Sequence, residues 1–425
     1  MKKIPEGYKQ TEIGVIPEDW DVKKVGDCLI RLPRYGIGAA AVGYSDRLPK
    51  YIRITDISET GRFLPKKTVS VDNIFSANYF LSEGDLVVAR TGASVGKSYL
   101  YRPKDGPLVF AGFLICLSSR NNILLPQHLS NYFKTTSYWN WVKLTSMRSG
   151  QPGINGNEFA RLLIPLPKIT EQSAIATVLS DTDALIEHLE KLIAKKKAIK
   201  QGAMQQLLTG KKRLPGFSGK WEVKKLGEIC WYQEGPGVRN YQFTASGVKL
   251  LNGTNISNGK VMLDTTNRYI SEKEAFGWYK HFLVDEGDIL IASSGVTIDR
   301  FHEKVAFASS NNLPLCMNTS TIRLKVNLKL LDKYLYFFLQ SNLFKNQIGK
   351  QATGSAQLNF GPSHLKKIDI DFPPSIEEQT AIATILSDMD AEIEKLEQKR
   401  DKYNMLKQGM MQQLLTGRIR IYDNN

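Results

Sequence analysis

The 425-residue chain has only four cysteines, Cys28, Cys116, Cys230 and Cys316, and no CxxC pair. That spacing argues against a zinc site or a disulfide framework and fits a reducing compartment, the cytoplasm. The five histidines (His128, His188, His281, His302, His364) are scattered, with no metal-ligand or triad grouping. No stretch approaches 18 consecutive apolar residues, so no membrane span is expected. The opening MKKIPEGYKQTEIG has lysines without the apolar run of a signal peptide. Acidic residues are in the minority, 42 against 57 Lys and Arg, and the net charge of +15 points first to nucleic acid. A hydrophobic fraction of 42% is ordinary for globular protein, and the length suits two or more domains.

Proline is absent from two long stretches, and these organise the rest. Glu171–Gly210 and Glu378–Gly417 align without a gap at an offset of 207, with 26 of 40 positions identical. Both end at glycine, the usual residue after a helix C-terminus. Ile175, Leu179, Ile186, Leu189, Ile193, Ala203 and Leu207 recur at spacings of three and four. So do Ile382, Leu386, Met389, Ile393, Leu396, Tyr403, Met410 and Leu414. The pattern predicts two coiled-coil helices of roughly 57 Å that cover each other's seams. A second row, Val178, Leu185, Leu192 and Ile199, makes the first apolar stripe wider than one seam and predicts a protein partner.

The repetition continues outside the helices. WDVKKVGD at Trp20 returns as WEVKKLGE at Trp221, and EGDLVVA at Glu83 returns as EGDILIA at Glu286. Each EGD turn feeds a short apolar run that reads as a buried strand. Gln151–Asn155 is set against Ser355–Asn359, and prolines close each half before its long helix. Leu108–Leu117 reads as another apolar strand, and Gln127–Leu144 and Leu330–Ile348 read as helices. Arg31–Lys50 and Gln233–Leu250 share little, so the two halves are expected to recognise different things. The fold class is therefore mixed α/β (α+β): two domains with mixed sheets, separated by two long antiparallel helices, with pseudo-two-fold symmetry. The expected boundaries are domain 1 at 1–170, helix 1 at 171–210, domain 2 at 211–377 and helix 2 at 378–417. Lys211–Leu214 shifted by 207 falls on Arg418–Ile421, so the tail, 418–425, is expected to return to domain 1.

The apparent catalytic motifs are incomplete. Gly92–Ser98 (GASVGKS) is one residue short of a phosphate-binding loop, and the matching Gly295–Arg300 has no Gly-Lys pair. Such a loop, ending in Lys97 or Arg300, suits a DNA backbone or an ordinary tight turn. Asp21-Val22-Lys23 and Glu222-Val223-Lys224 mimic the end of a nuclease site without a placeable acidic partner. Asp371-Phe372-Pro373-Pro374 resembles an amino-methyltransferase signature, with Ser375 where an aromatic ring would stack. The candidate DNA-binding residues are Arg53, Arg90, Thr91, Ser94, Lys97, Arg148, Gln151 and Asn155 in the first domain. In the second they are Asn255, Ser293, Ser294, Arg300, Lys350, Gln351, Gln357 and Asn359. Arg can read guanine, Asn and Gln can read adenine, and Ser or Thr can do either. Lys143 and Asn252 belong to the same polar sets.

Two dissimilar domains alternating with two near-identical helices resemble the specificity subunit of a type I restriction-modification enzyme. Ile16–Trp20, Ile164–Pro167 with Glu171-Gln172, Glu377-Glu378-Gln379, Met204–Gly210 and Met411–Gly417 carry the resemblance across essentially the whole chain. It implies a non-catalytic subunit whose two domains each read one half of a bipartite asymmetric site in double-stranded DNA. Its helices would hold two methyltransferase subunits, through Val178, Leu185, Leu192 and Ile199, and set the spacer between half-sites. S-adenosylmethionine, ATP and Mg would belong to the methyltransferase and restriction (motor-nuclease) subunits, with no cofactor in this chain. A DNA nuclease and a protein-only scaffold are the alternatives, distinguished by metal-dependent cleavage and by salt-sensitive, sequence-selective DNA binding.

Overall fold

A computed structural model describes residues 4–64, 68–147, 150–264, 266–327, 329–352 and 357–421. The chain divides into two compact units, Met1–Glu190 with Lys399–Asn425, and Lys191–Gln398. Sequence similarity alone puts boundaries at the helix ends, whereas these units cut both long helices near their middles.

In the first unit the buried strand Asp85–Ala89 lies between Leu114–Ser118 and Ser98–Leu100, and Arg34–Tyr35 pairs on the far side of Leu114–Ser118. All these pairings are antiparallel. The run Leu86–Ala89 (LVVA) is apolar at every position because both faces of this sheet are covered. A second sheet joins Leu108–Phe110, parallel, to Lys50–Ile52, which continues to Val69–Val71 and Ala41–Val42. The second unit repeats the plan. Cys230–Glu234, Thr321–Val326, Ile289–Ala292 and Val305–Phe307 form its main sheet, and Leu315–Met317 runs parallel to Val248–Leu251 in a smaller one.

Three expectations change. The run Leu108–Leu117 is two strands in different sheets, separated by a turn in which Leu114 N–H donates to Ala111 O at 2.8 Å. Each expected domain helix is two. Thr135 caps Thr136–Thr145 by accepting from Tyr138 N–H, and Ser341 caps Asn342–Gln351 by accepting from Phe344 N–H. Both hydroxyls also bond backward, to Tyr132 O and Phe338 O, which ends the helix before them. Pro165 lies inside the strand Leu163–Leu166 rather than ending it. That strand has one neighbour, Asp21–Lys24, so the missing N–H need not break a ladder.

The long helices span Ile169–Leu207 and Ile376–Leu414, 39 residues and about 58 Å each. Within each unit their segments run antiparallel. In the first, Lys407 Nζ lies 2.6 Å from both carboxylate oxygens of Asp183. In the second, Lys200 Nζ holds Asp390 at 2.6 and 2.7 Å, and Lys196 pairs with Glu392. Near the helix C-termini the seam turns into domain core. Met204 and Leu208, rather than Ala203, are buried with Phe372 and Leu226, and Met411 and Leu415 are buried with Trp20.

The same clamp joins helix and domain in both units. Gln172, fully buried, donates to Ile123 O and Pro167 O and accepts from Leu125 N–H. Gln379 does the same with Lys329 O, Pro373 O and Leu331 N–H. Beside it, Arg420 makes a two-pronged pair with Glu171 at 2.6 and 2.7 Å, and Arg213 with Glu378 at 2.7 and 2.8 Å. The Glu-Gln pair at the head of each helix is thus a docking device.

Candidate nucleic-acid interface

Each unit presents a rim where the central strand leaves the sheet, and backbone bonds place its residues. In the first unit, Arg90 N–H donates to Phe113 O (3.0 Å) and Arg90 O accepts from Ile154 N–H (2.9 Å). In the second, Ser293 N–H donates to Ser320 O (2.9 Å) and Ser293 O accepts from Phe360 N–H (3.0 Å). Tyr35 faces Ile115 across the sheet as Glu234 faces Ile322. The glycine that follows touches the same turn. A Cβ on Gly36 would stand 2.2 Å from Ala111 O, and one on Gly235 2.3 Å from Asn318 O. No other residue fits there without moving backbone. Arg53 and Asn252 open equivalent turns, receiving Asp56 Oδ2 and Asn255 Oδ1 at their backbone N–H groups.

The frame is common and the side chains on it are not. Arg53, Arg90, Tyr35 and Phe113 of the first unit stand where the second has Asn252, Ser293, Glu234 and Ser320. Arg90 lies over the Tyr35 ring at 4.9 Å, and Phe113 is 60% exposed. Ile37, Tyr51, Arg53, Thr55 and Phe113 line an open, mainly apolar cleft of about 610 Å³. Arg53 is held by Asp56 through two bonds of 2.9 Å, which also raises its already high pKa.

Other residues expected at the site meet different fates. Thr91 bridges to Gly153, while Gln151 Nε2 is 3.1 Å from where a Cβ of Gly92 would lie. Gln357 Oε1 holds the matching place beside Gly295, at 3.9 Å. Gln151 therefore corresponds to Gln357, not Ser355, and Asn155 corresponds to Gly361, not Asn359. Asn155 caps the helix Gly156–Arg161 as Gly361 precedes Pro362–Leu365, and its Oδ1 accepts from Glu158 N–H. Asn359 instead binds Ser294 Oγ and Gly295 N–H through Oδ1.

Two candidates are withdrawn from the surface by burial. Asn255 is 3% exposed and its amide closes the turn to Asn252 and Met262. Ser293 is 2% exposed. Lys97 pairs with Glu59 at 2.6 Å and Arg300 with Glu303 at 2.6 and 2.9 Å, so neither is an unpaired cation. Ser94 sits in the turn Gly92–Ser94, from which the chain passes into a strand rather than the long helix a phosphate loop requires. Lys350 and Gln351 are both exposed at the end of Asn342–Gln351, and Arg148 lies outside the described residues. Lys143 is exposed on Thr136–Thr145. The sequence reading missed Tyr35, Phe113 and Glu234. The only local signal was a glycine directly after Tyr35 and Glu234. On the first long helix, Val178 and Ile199 are exposed; the second helix adds exposed Met405 and Leu406. Leu185 and Leu192, expected beside Val178, are both half-buried.

Residues 17–200 and 218–402 match the family model "Type I restriction modification DNA specificity domain". Two relatives from Methanocaldococcus jannaschii are similar over almost their full lengths. The type I restriction enzyme MjaVIII specificity subunit is 27% identical, covering 99% of this chain and 97% of the relative. The putative type I restriction enzyme MjaX specificity subunit is 28% identical, covering 98% and 97%. The fold resembles the S subunit of a type I restriction-modification system from M. genitalium, with TM-score 0.57, 14% identity, and 97% and 98% of the two chains covered. It also resembles a chain from a structure on complex assembly and conformational transition of a type I R-M system, with TM-score 0.55, 16% identity, and 95% and 99% covered. The chain belongs to the type I restriction-modification DNA specificity family. It is the DNA-recognition component and not a catalytic one, and the nuclease and protein-only scaffold alternatives are not favoured. The family works with DNA and with methyltransferase and restriction subunits. Among the described residues no helix is long and apolar enough to cross a membrane.

Proposed function

We propose that each unit reads one half of a bipartite, asymmetric DNA site through the rim at the end of its central strand. The first rim comprises Arg53, Arg90, Thr91, Phe113 and Gln151. The second comprises Asn252, Ser294, Gln357 and Asn359. One observation carries this reading: hydrogen bonds of the same kind hold two rims whose side chains differ in charge, size and donor pattern. A frame kept constant under variable side chains is what two different base sequences require. The net charge of +15 supplies attraction to phosphate that is independent of sequence. In this reading, Val178, Leu185, Leu192 and Ile199, joined by Met405 and Leu406, receive two methyltransferase subunits, and the assembly works in the cytoplasm.

A graft tests it. Replacing Gly227–Asp371 by the matching segment of a relative with another target is expected to change one half-site and leave the other intact. The readout is a map of methylated positions in DNA modified by the assembled complex. A graft that altered both half-sites would mean that the units do not read independently.

A further inference from the structure

Glu234 is an acid on a rim that otherwise offers amides and hydroxyls, in a chain of charge +15. Its place is fixed by the pairing with Ile322 and by the close approach of Gly235 to Asn318. The first unit has Tyr35 there, and two partners satisfy it. The Tyr35 hydroxyl accepts from Gly156 N–H at 3.0 Å, and the Arg90 guanidinium covers the ring. Neither partner has a counterpart in the second unit. The residue matching Gly156 is Pro362, which has no N–H, and the one matching Arg90 is the buried Ser293. Glu234 is an exposed residue, and its carboxylate has no hydrogen-bond or ion-pair partner among the described residues. Partial burial raises its pKa above the ordinary carboxyl value, the direction for a carboxylate short of donors.

An unpartnered carboxylate facing DNA meets phosphate repulsion unless a donor awaits it. In the major groove the N4 amino group of cytosine is such a donor. The adenine N6 amino group comes with N7 beside it, an acceptor that would repel the second carboxylate oxygen. We propose that Glu234 reads a cytosine in the half-site of the second unit by accepting a hydrogen bond from its N4 amino group. This rests on the DNA-reading role given above and assigns one base within it.

The test uses the full chain assembled with its methyltransferase subunits. Methylation is mapped for wild type, Glu234→Gln and Glu234→Ala, and binding is compared on duplexes changed at one base pair at a time. In the wild type, one C·G pair of the second half-site is expected to be preferred by about 5- to 150-fold. Both variants should lose that preference at that pair alone, with the first half-site and the thermal midpoint unchanged. Glu234→Gln, which can also donate, should shift toward adenine there. Tyr35→Phe should leave the second half-site untouched. Unchanged discrimination in both variants, a second half-site without a C·G pair, or a uniform loss at every position would each overturn the assignment. Absence of any sequence selectivity in the wild-type complex would instead reject the DNA-reading role itself.

Discussion

His128 lies in the core of the first unit, on the helix Pro126–Tyr132, fully buried. Neither ring nitrogen has a hydrogen-bond partner among the described residues. Burial pushes its imidazole down to about 4, from an ordinary 6.5. The folded form therefore holds the ring neutral over a range in which the unfolded chain takes up a proton. The associated stability is complete above pH 6.5 and is lost as pH falls toward 4, by up to roughly 3 kcal/mol. His128→Leu should flatten the fall of the unfolding midpoint across this window. At pH 7 it should cost little, because no hydrogen bond is broken. A variant with the same pH profile as wild type would show that the ring is protonated inside the folded unit.

At the scale of elements, the long helices are set in register by charges placed where a seam would be apolar. Lys200 is 9% exposed, lies 5.2 Å from the Phe337 ring and reaches Gln340 Oε1 at 3.4 Å, while the Asp390 side chain is 40% exposed. Burial lowers the Lys200 pKa, opposed by Asp390. Removing the acid strands a buried ammonium, whereas removing the lysine leaves a carboxylate that water can reach. Asp390→Asn should therefore destabilise by about 3 kcal/mol and Lys200→Met by less than about 1 kcal/mol. Urea unfolding of the two variants checks the order, and equal losses would mean that water already reaches Lys200.

At the scale of the molecule, the proposal that the helices set the spacer can be tested by changing their length. Four residues inserted after Ala194 add about 6 Å and turn the helix about 40° beyond a full turn. With the other helix unchanged, the added length must be taken up by bending or overwinding, so affinity should fall. The preferred spacer should grow by one or two base pairs while both half-sites stay the same. Seven-residue insertions in both helices keep the seam in phase and serve as the control. A methylation map with an unchanged spacer and full activity would mean that other parts of the chain set the distance.

The sequence by itself determined the elements that repeat. Both long helices were legible because a three-four periodicity over 39 residues has one low-energy outcome, and 26 identities at a constant offset marked them as copies. The buried strands after each EGD turn were legible for the same local reason. Tertiary structure decided what the copies do to each other and what the rims expose. Asn155, Asn255 and Ser293 are polar residues of the kind that contacts DNA. Yet a helix cap, a turn and burial claim them, through partners that composition cannot reveal. Glu234 and Tyr35 share a position although their surroundings in sequence show no similarity, since only the strand pairing to Ile322 and Ile115 aligns them. Local periodicity is written in one stretch of chain. Which side chain is left without a partner depends on every stretch packed around it, and Pro362 in place of Gly156, with Ser293 in place of Arg90, leaves Glu234 unpaired.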